Sequence, residues 1–88
     1  MLFALGQLLA TPGALNHLSH HEVSPSDLVE RHVRGDWGEL TASDKRCNDR
    51  AVTSGDRILS AYIVSGLKLY VITEWDRSYT TILLATEY

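Results

Sequence analysis

The stretch Arg57–Tyr88 constrains this chain more than any other, because it reads as three consecutive β-strands. Arg57–Val64 is rich in β-branched and aromatic residues and ends at Ser65-Gly66, a two-residue turn suited to a tight hairpin. Leu67–Thr73 follows, then the polar connection Glu74–Ser78, then a third run, Tyr79–Ala85. A sheet this small is not stable alone, so the rest of the chain must cover one of its faces. Alternation along the first strand puts Leu59, Ala61 and Ile63 on one face and Ile58, Ser60, Tyr62 and Val64 on the other. Both faces are therefore apolar, and the second needs a partial cover from the N-terminal segment or a second copy of the chain. An exposed patch of Tyr62, Tyr70 and neighbours would mark an interaction surface, but aromatics at strand spacing are more often core, and that reading is favoured.

The preceding residues supply the helices. Thr11-Pro12 reads as an N-cap followed by proline at the first helical position, opening a helix over Pro12–His20 with Leu15 and Leu18 inward. Ser24-Pro25-Ser26-Asp27 repeats that device with a capping box and opens a second helix, which Gly35 ends. Leu28, Val29, His32 and Val33 form its apolar face. Thr41-Ala42-Ser43-Asp44 starts a third helix with another capping box, closed by Gly55, with Cys47, Ala51 and Val52 as a thin stripe and Cys47 read as a small buried hydrophobe. Before all of these, Gln7–Ala10 favours a short strand added to the C-terminal sheet. The expected fold is one α+β domain over residues 1–88, ordered β-α-α-α-β-β-β. Its sheet is antiparallel, of three or four strands, with two or three short helices on one face.

Eighty-eight residues cannot divide into two self-sufficient cores, and so thin a core makes homodimerisation a natural source of extra burial. A net charge of −3 offers no bulk attraction to a phosphate backbone, which disfavours nucleic acid as a direct ligand. The pairs Arg31/Arg34 and Arg46/Arg50 read as solvated helix faces. The apolar opening Met1–Ala10 lacks a basic flank and is too short to span a bilayer, so no membrane role and a cytoplasmic setting are expected. One cysteine excludes an internal disulfide and suits a reducing compartment.

Three constellations bear on chemistry. His17, His20 and His21 lie near one side of the first helix, where two imidazoles at i, i+4 can share a divalent ion. No His-Glu-x-x-His or Cys-x-x-Cys accompanies them, so they read as solvated helix-end histidines and no metal or cofactor is assigned. His32, Asp36, Trp37, Asn48, Arg57 and Ser60 form the second group. His32 falls on an apolar face and needs a partner such as Asp36 or Ser60, which could serve acid–base chemistry or pin a helix to the sheet. No nucleophile elbow or phosphate loop accompanies it, so the structural role is favoured and no catalytic residue is assigned. The third is the loop Thr73–Thr81, where Glu74, Asp76 and Arg77 could make local ion pairs or form a binding loop.

Leu5–Leu15, Arg31–Gly38, Arg57–Tyr62 and Ile72–Leu84 together resemble a family of short uncharacterised bacterial proteins. These carry labels such as plasmid-related protein or, by inheritance, subunit M of a type I restriction system. The likeness spans nearly the whole chain, with Gly35-Asp36-Trp37-Gly38 its most specific block. It implies a bacterial, mobile-element setting and brings no activity. The residues that match its motifs are His32, Gly35, Asp36, Trp37, Gly38, Asn48, Arg57, Ser60, Thr73 and Thr81.

Two functional expectations follow. The first is a non-catalytic accessory or interaction protein that touches another protein, itself or a mobile-element or host partner. The second is a small enzyme or ligand-binding protein whose pocket gathers His32, Asp36, Trp37, Asn48 and Arg57. A pocket requires those side chains to converge on a cleft. An interaction protein would spend them on internal hydrogen bonds and expose apolar groups elsewhere.

Overall fold

The computed structural model describes all of residues 1–88. Its elements are β1 (Gln7–Ala10), α1 (Pro12–His20), α2 (Pro25–Val33), α3 (Ala42–Ser54), β2 (Ile58–Val64), β3 (Leu67–Thr73), β4 (Tyr79–Leu84) and a 3-10 turn, Ala85–Glu87. The α+β class and the order β-α-α-α-β-β-β are those read from the sequence. The sheet has four strands in the order β1-β4-β3-β2.

One expectation about that sheet is corrected. The pairs β2–β3 and β3–β4 are antiparallel, but β1 runs parallel to β4, with Leu8 opposite Thr80 and Ala10 opposite Ile82. The cause is topological. The three helices carry the chain from one edge of the sheet to the other, and β2 then starts in the direction β1 had. Two hairpin reversals later, β4 meets β1 in parallel. Ser65 and Gly66 take φ of 45° and 82°, the left-handed pair that a tight hairpin with the twist of its strands requires.

Each helix begins where a hydroxyl can take an orphan N–H. Thr11 accepts from Ala14, Ser24 from Ser26, and Thr41 from Asp44. Neither Asp27 nor Asp44 returns a bond to its cap, so the expected capping boxes at Ser24 and Thr41 are not completed. Residue by residue, two burial expectations change. Leu15 is 45% exposed and α1 buries Ala14 and Leu18, spaced i, i+4. Cys47 is exposed, and α3 buries Asn48 and Ala51 instead. Tyr62 is buried, and Tyr70 is half-buried with its ring edge-on to Tyr88.

Two apolar clusters fill the space between helices and sheet. Ala14, Leu18, Leu28 and Val29 meet Tyr62, Leu69, Val71 and Ile82, while Phe3, Val33, Trp37 and Ala51 gather on Ile58. Ser60 sits between Ile58 and Tyr62 on β2, so a polar position falls where the two clusters join. The opposite face carries no helix. Tyr88 crosses it there, stacked edge-on against Tyr70 and bonded to Arg57.

Candidate functional site

His32 projects from the last turn of α2 into the seam between the two clusters and is fully buried. Its Nδ1 lies 2.6 Å from Ser60 Oγ on β2, and its Nε2 lies 2.9 Å from Thr73 Oγ1 on β3. Thr73 Oγ1 is 2.7 Å from Thr80 Oγ1 on β4, which donates to the Leu5 carbonyl at 2.7 Å. A carbonyl only accepts, so the last link sets the direction of every other. Thr80 gives its proton to Leu5, hence it accepts from Thr73, and Thr73 in turn accepts from His32 Nε2–H. That leaves His32 Nδ1 unprotonated, taking the Ser60 hydroxyl proton. The chain thus fixes a neutral imidazole in the Nε2–H tautomer and ties α2, β2, β3, β4 and the N-terminal segment through one row of hydrogen bonds.

Burial, with the Arg77 cation adding to it, lowers the His32 imidazole to about 4. Its folded-state affinity for a proton lies below the ordinary value of 6.5, so protonation favours the unfolded chain. His32 therefore contributes stability in full above pH 6.5, and that contribution drains away as the pH falls toward about 4. Over that window the loss is on the order of 3 kcal/mol. Urea unfolding at pH 7, 5.5 and 4.5 should show it, and a His32→Gln variant should show a flatter acid limb.

The Ser60–His32 contact has the spacing of a nucleophile and its base. Its surroundings do not suit that work. Both side chains have no accessible surface, the ring is too weak a base at neutral pH, and the group behind it is a threonine hydroxyl rather than a carboxylate.

Of the other expected site residues only Trp37 packs against His32, its ring edge-on with centroids 6.0 Å apart, and none of them hydrogen-bonds to the imidazole. Asp36 pairs with Arg31 at 2.7 Å instead of with His32, and its second oxygen accepts from the Gly38 amide. That Arg31 hydrogen bond holds the Asp36 carboxyl below the usual carboxylate range. The Asp36 carbonyl accepts from the Tyr62 hydroxyl at 2.6 Å, and burial pushes Tyr62 up to about 12. Trp37 donates its indole N–H to Asp49 at 2.9 Å. Asn48 uses both ends of its amide on Leu59, donating to the carbonyl at 2.7 Å and accepting from the N–H at 3.2 Å. It thereby replaces a neighbouring strand at the outer edge of β2. Two residues along, Ala61 bonds to the Trp37 carbonyl and the Glu39 N–H, so the same edge is covered again. Arg57 reaches the Tyr88 hydroxyl at 2.8 Å and Glu74 at 3.6 Å.

These residues do not share a cleft. The chain's one pocket holds about 230 Å³ and is lined by Leu40, Asp44, Cys47, Asn48 and Leu59, of which only Asn48 belongs to the expected set. Every buried side-chain polar atom has a partner. The histidines of α1 are likewise occupied or crowded. His17 Nε2 donates to the Val64 carbonyl at 2.7 Å, the His21 ring lies 4.6 Å from His17 and 4.9 Å from His20, and no group of three or more ligand side chains is placed to hold a metal.

The third constellation also takes a different form. Arg77 makes no ion pair with Glu74 or Asp76. Its guanidinium donates to the carbonyls of Asp56 at 2.6 Å, Ala51 at 2.7 Å, Glu74 at 3.1 Å and Trp75 at 3.3 Å. This cation closes the carbonyl end of α3 and fixes the β3–β4 turn at the same time. The Asp76 carboxylate accepts from the Ser78 amide at 3.0 Å. Trp75 is what remains at the tip, 66% exposed. Sequence reasoning passed over Thr80 and Trp75. Thr80 was open to discovery, because hairpin pairing sets it opposite Thr73. Trp75 carried only its own identity as a signal, a large aromatic in the middle of a polar turn. In comparisons with family models, curated proteins and solved structures, nothing matches this chain.

Proposed function

We propose that this chain is a non-catalytic interaction module that acts by protein–protein contact, in the bacterial mobile-element setting that its sequence resemblance implies. One observation carries the reading: the polar residues that could have formed a pocket are spent on internal hydrogen bonds, while Trp75 stands 66% exposed on a turn that is held rigid. Arg77 and Asp76 fix the backbone on either side of the indole, so ordering it on contact costs little entropy. Tryptophan presented in this way is the residue type that most often dominates a protein interface. Glu74 and Asp76 flank it in the chain, Glu74 paired with Arg57, and the whole chain carries −3. The partner that fits is a basic protein surface with an apolar socket for the indole, with charge setting the approach and the socket the residence time. The basic surface of a nucleic-acid-handling protein has that chemistry.

The test uses a photoreactive aromatic amino acid at position 75 to crosslink the partner in bacterial cells, followed by affinity measurement with the purified pair. Trp75→Ala should weaken binding by about thirtyfold or more. It should change the unfolding free energy by no more than about 0.5 kcal/mol, since the side chain is outside the core. Equal affinity of wild type and Trp75→Ala for the crosslinked protein would remove the turn from the interface.

A further inference from the structure

The two edges of the sheet are treated in opposite ways. The β2 edge is closed twice, by the Asn48 amide on Leu59 and by the Trp37–Glu39 backbone on Ala61. The β1 edge is bare. In its parallel ladder Gln7, Leu9 and Thr11 face β4, as the bonds from Gln7 N to Ser78 and from Thr11 N to Ile82 show, so the N–H and C=O of Leu8 and Ala10 point away from the sheet. The strand Gln7-Leu8-Leu9-Ala10 contains no charge and no proline, the usual devices that keep a free edge from pairing. Leu8 is 55% exposed and Leu9 is 42% exposed. Leu15, on the helix that leaves the end of this strand, is 45% exposed.

From this we infer that β1 pairs with β1 of a second copy, antiparallel about a two-fold axis, and joins two sheets into one of eight strands. The strand is self-complementary in that register. Leu8 of each chain lies opposite Ala10 of the other, and their outward N–H and C=O groups exchange four hydrogen bonds, with Leu9 meeting its own symmetry mate on the axis. Charge points to the same occupant. Each copy carries −3, and the neutral β1 edge is where two such chains can meet without opposing like charges. The strand is short, so the dimer sits at the small end of specific interfaces and is reversible. This contact is independent of the Trp75 turn.

Analytical ultracentrifugation at pH 7, from about 1 µM to about 1 mM, tests it. Wild type should pass from monomer to dimer and go no further, because the pairing closes on itself. Leu9→Arg and Leu9→Glu should each lower the association constant about tenfold or more, since each sets two like charges face to face on the axis. An equimolar mixture of the two variants should restore dimerisation, as heterodimer, to at least the wild-type level. Circular dichroism of each variant confirms folding, which an exposed position should preserve. Trp75→Ala should dimerise as wild type does, so failure here leaves the partner-binding reading separately testable. A wild type that stays monomeric, a dimer indifferent to both Leu9 variants, or variants whose mixture fails to recombine would each overturn the proposal. So would binding of only a foreign strand at this edge.

Discussion

Replacement of His32 by leucine is expected to lower the free energy of unfolding by about 3 kcal/mol or more, and the midpoint of thermal unfolding by about 15 °C. Leucine fills the volume, so the loss comes from polarity. The Ser60 hydroxyl and the Thr73 oxygen would stay buried with a partner missing, at about 1–3 kcal/mol each. Thr73 would keep its bond to Thr80, and Thr80 its bond to Leu5, so the damage stops at the ring. Adding Ser60→Ala to His32→Leu should recover part of the loss, because an apolar pair costs less than one stranded hydroxyl. The two substitutions must then be non-additive in the stabilising direction. Urea unfolding of the wild type, both single variants and the double variant provides the cycle. A loss below 1 kcal/mol for His32→Leu would mean that the chain of hydrogen bonds does not hold the fold together.

Gly38→Ala is expected to cost a similar amount for a different reason. Gly38 has φ of 76° and bridges to Ala61, so its backbone lies directly against β2. A methyl group there would overlap the Ala61 carbonyl oxygen, which is itself the acceptor for Glu39 N–H, and would stand 2.7 Å from the Tyr62 ring. Neither can yield cheaply, since one is strand backbone and the other a buried aromatic. The segment would have to leave the β2 edge, breaking the bridge and the Tyr62–Asp36 hydrogen bond, at about 3–4 kcal/mol in all. Gly55→Ala is the control. Gly55 has a matching φ of 79° but nothing within 4 Å, so it should cost only the conformational penalty of about 1 kcal/mol. Equal effects at the two positions would show that the approach to β2 is not what requires glycine at 38.

Local chemistry made much of this fold legible. The Ser65-Gly66 turn, the cap-and-proline starts at Thr11 and Ser24, and the glycine after α3 are signals read within a few residues. The parallel seating of β1 is not local. It follows from where three helices deliver the chain, which no window around Gln7–Ala10 contains. Helix faces on short, sparsely apolar helices were similarly underdetermined. In α1 the choice between Leu15 and Ala14 beside Leu18 is one of helix rotation, and in α3 the amide of Asn48 outweighed the thiol of Cys47 because it could close a strand edge. Within the candidate site, His32 on an apolar helix face calls for a buried hydrogen-bond partner such as Asp36 or Ser60, and Ser60 is the one it meets. Asp36 was misplaced because the turn at Gly35 swings it back onto Arg31. Arg57 and Trp37 found partners, Tyr88 and Asp49, that only the assembled fold brings near.

The most direct measurement is the nitrogen NMR spectrum of His32 followed from pH 8 down to acid unfolding. The hydrogen-bond order predicts a single neutral tautomer, with a protonated Nε2 and a bare Nδ1 that accepts from Ser60. It also predicts no titration of that ring until the pH nears about 4, well below the ordinary histidine value of 6.5. A His32 ring that titrates close to 6.5, or that carries its proton on Nδ1, would contradict the account. It would mean that the row from Ser60 to Leu5 is not closed, and that the histidine is free for other work.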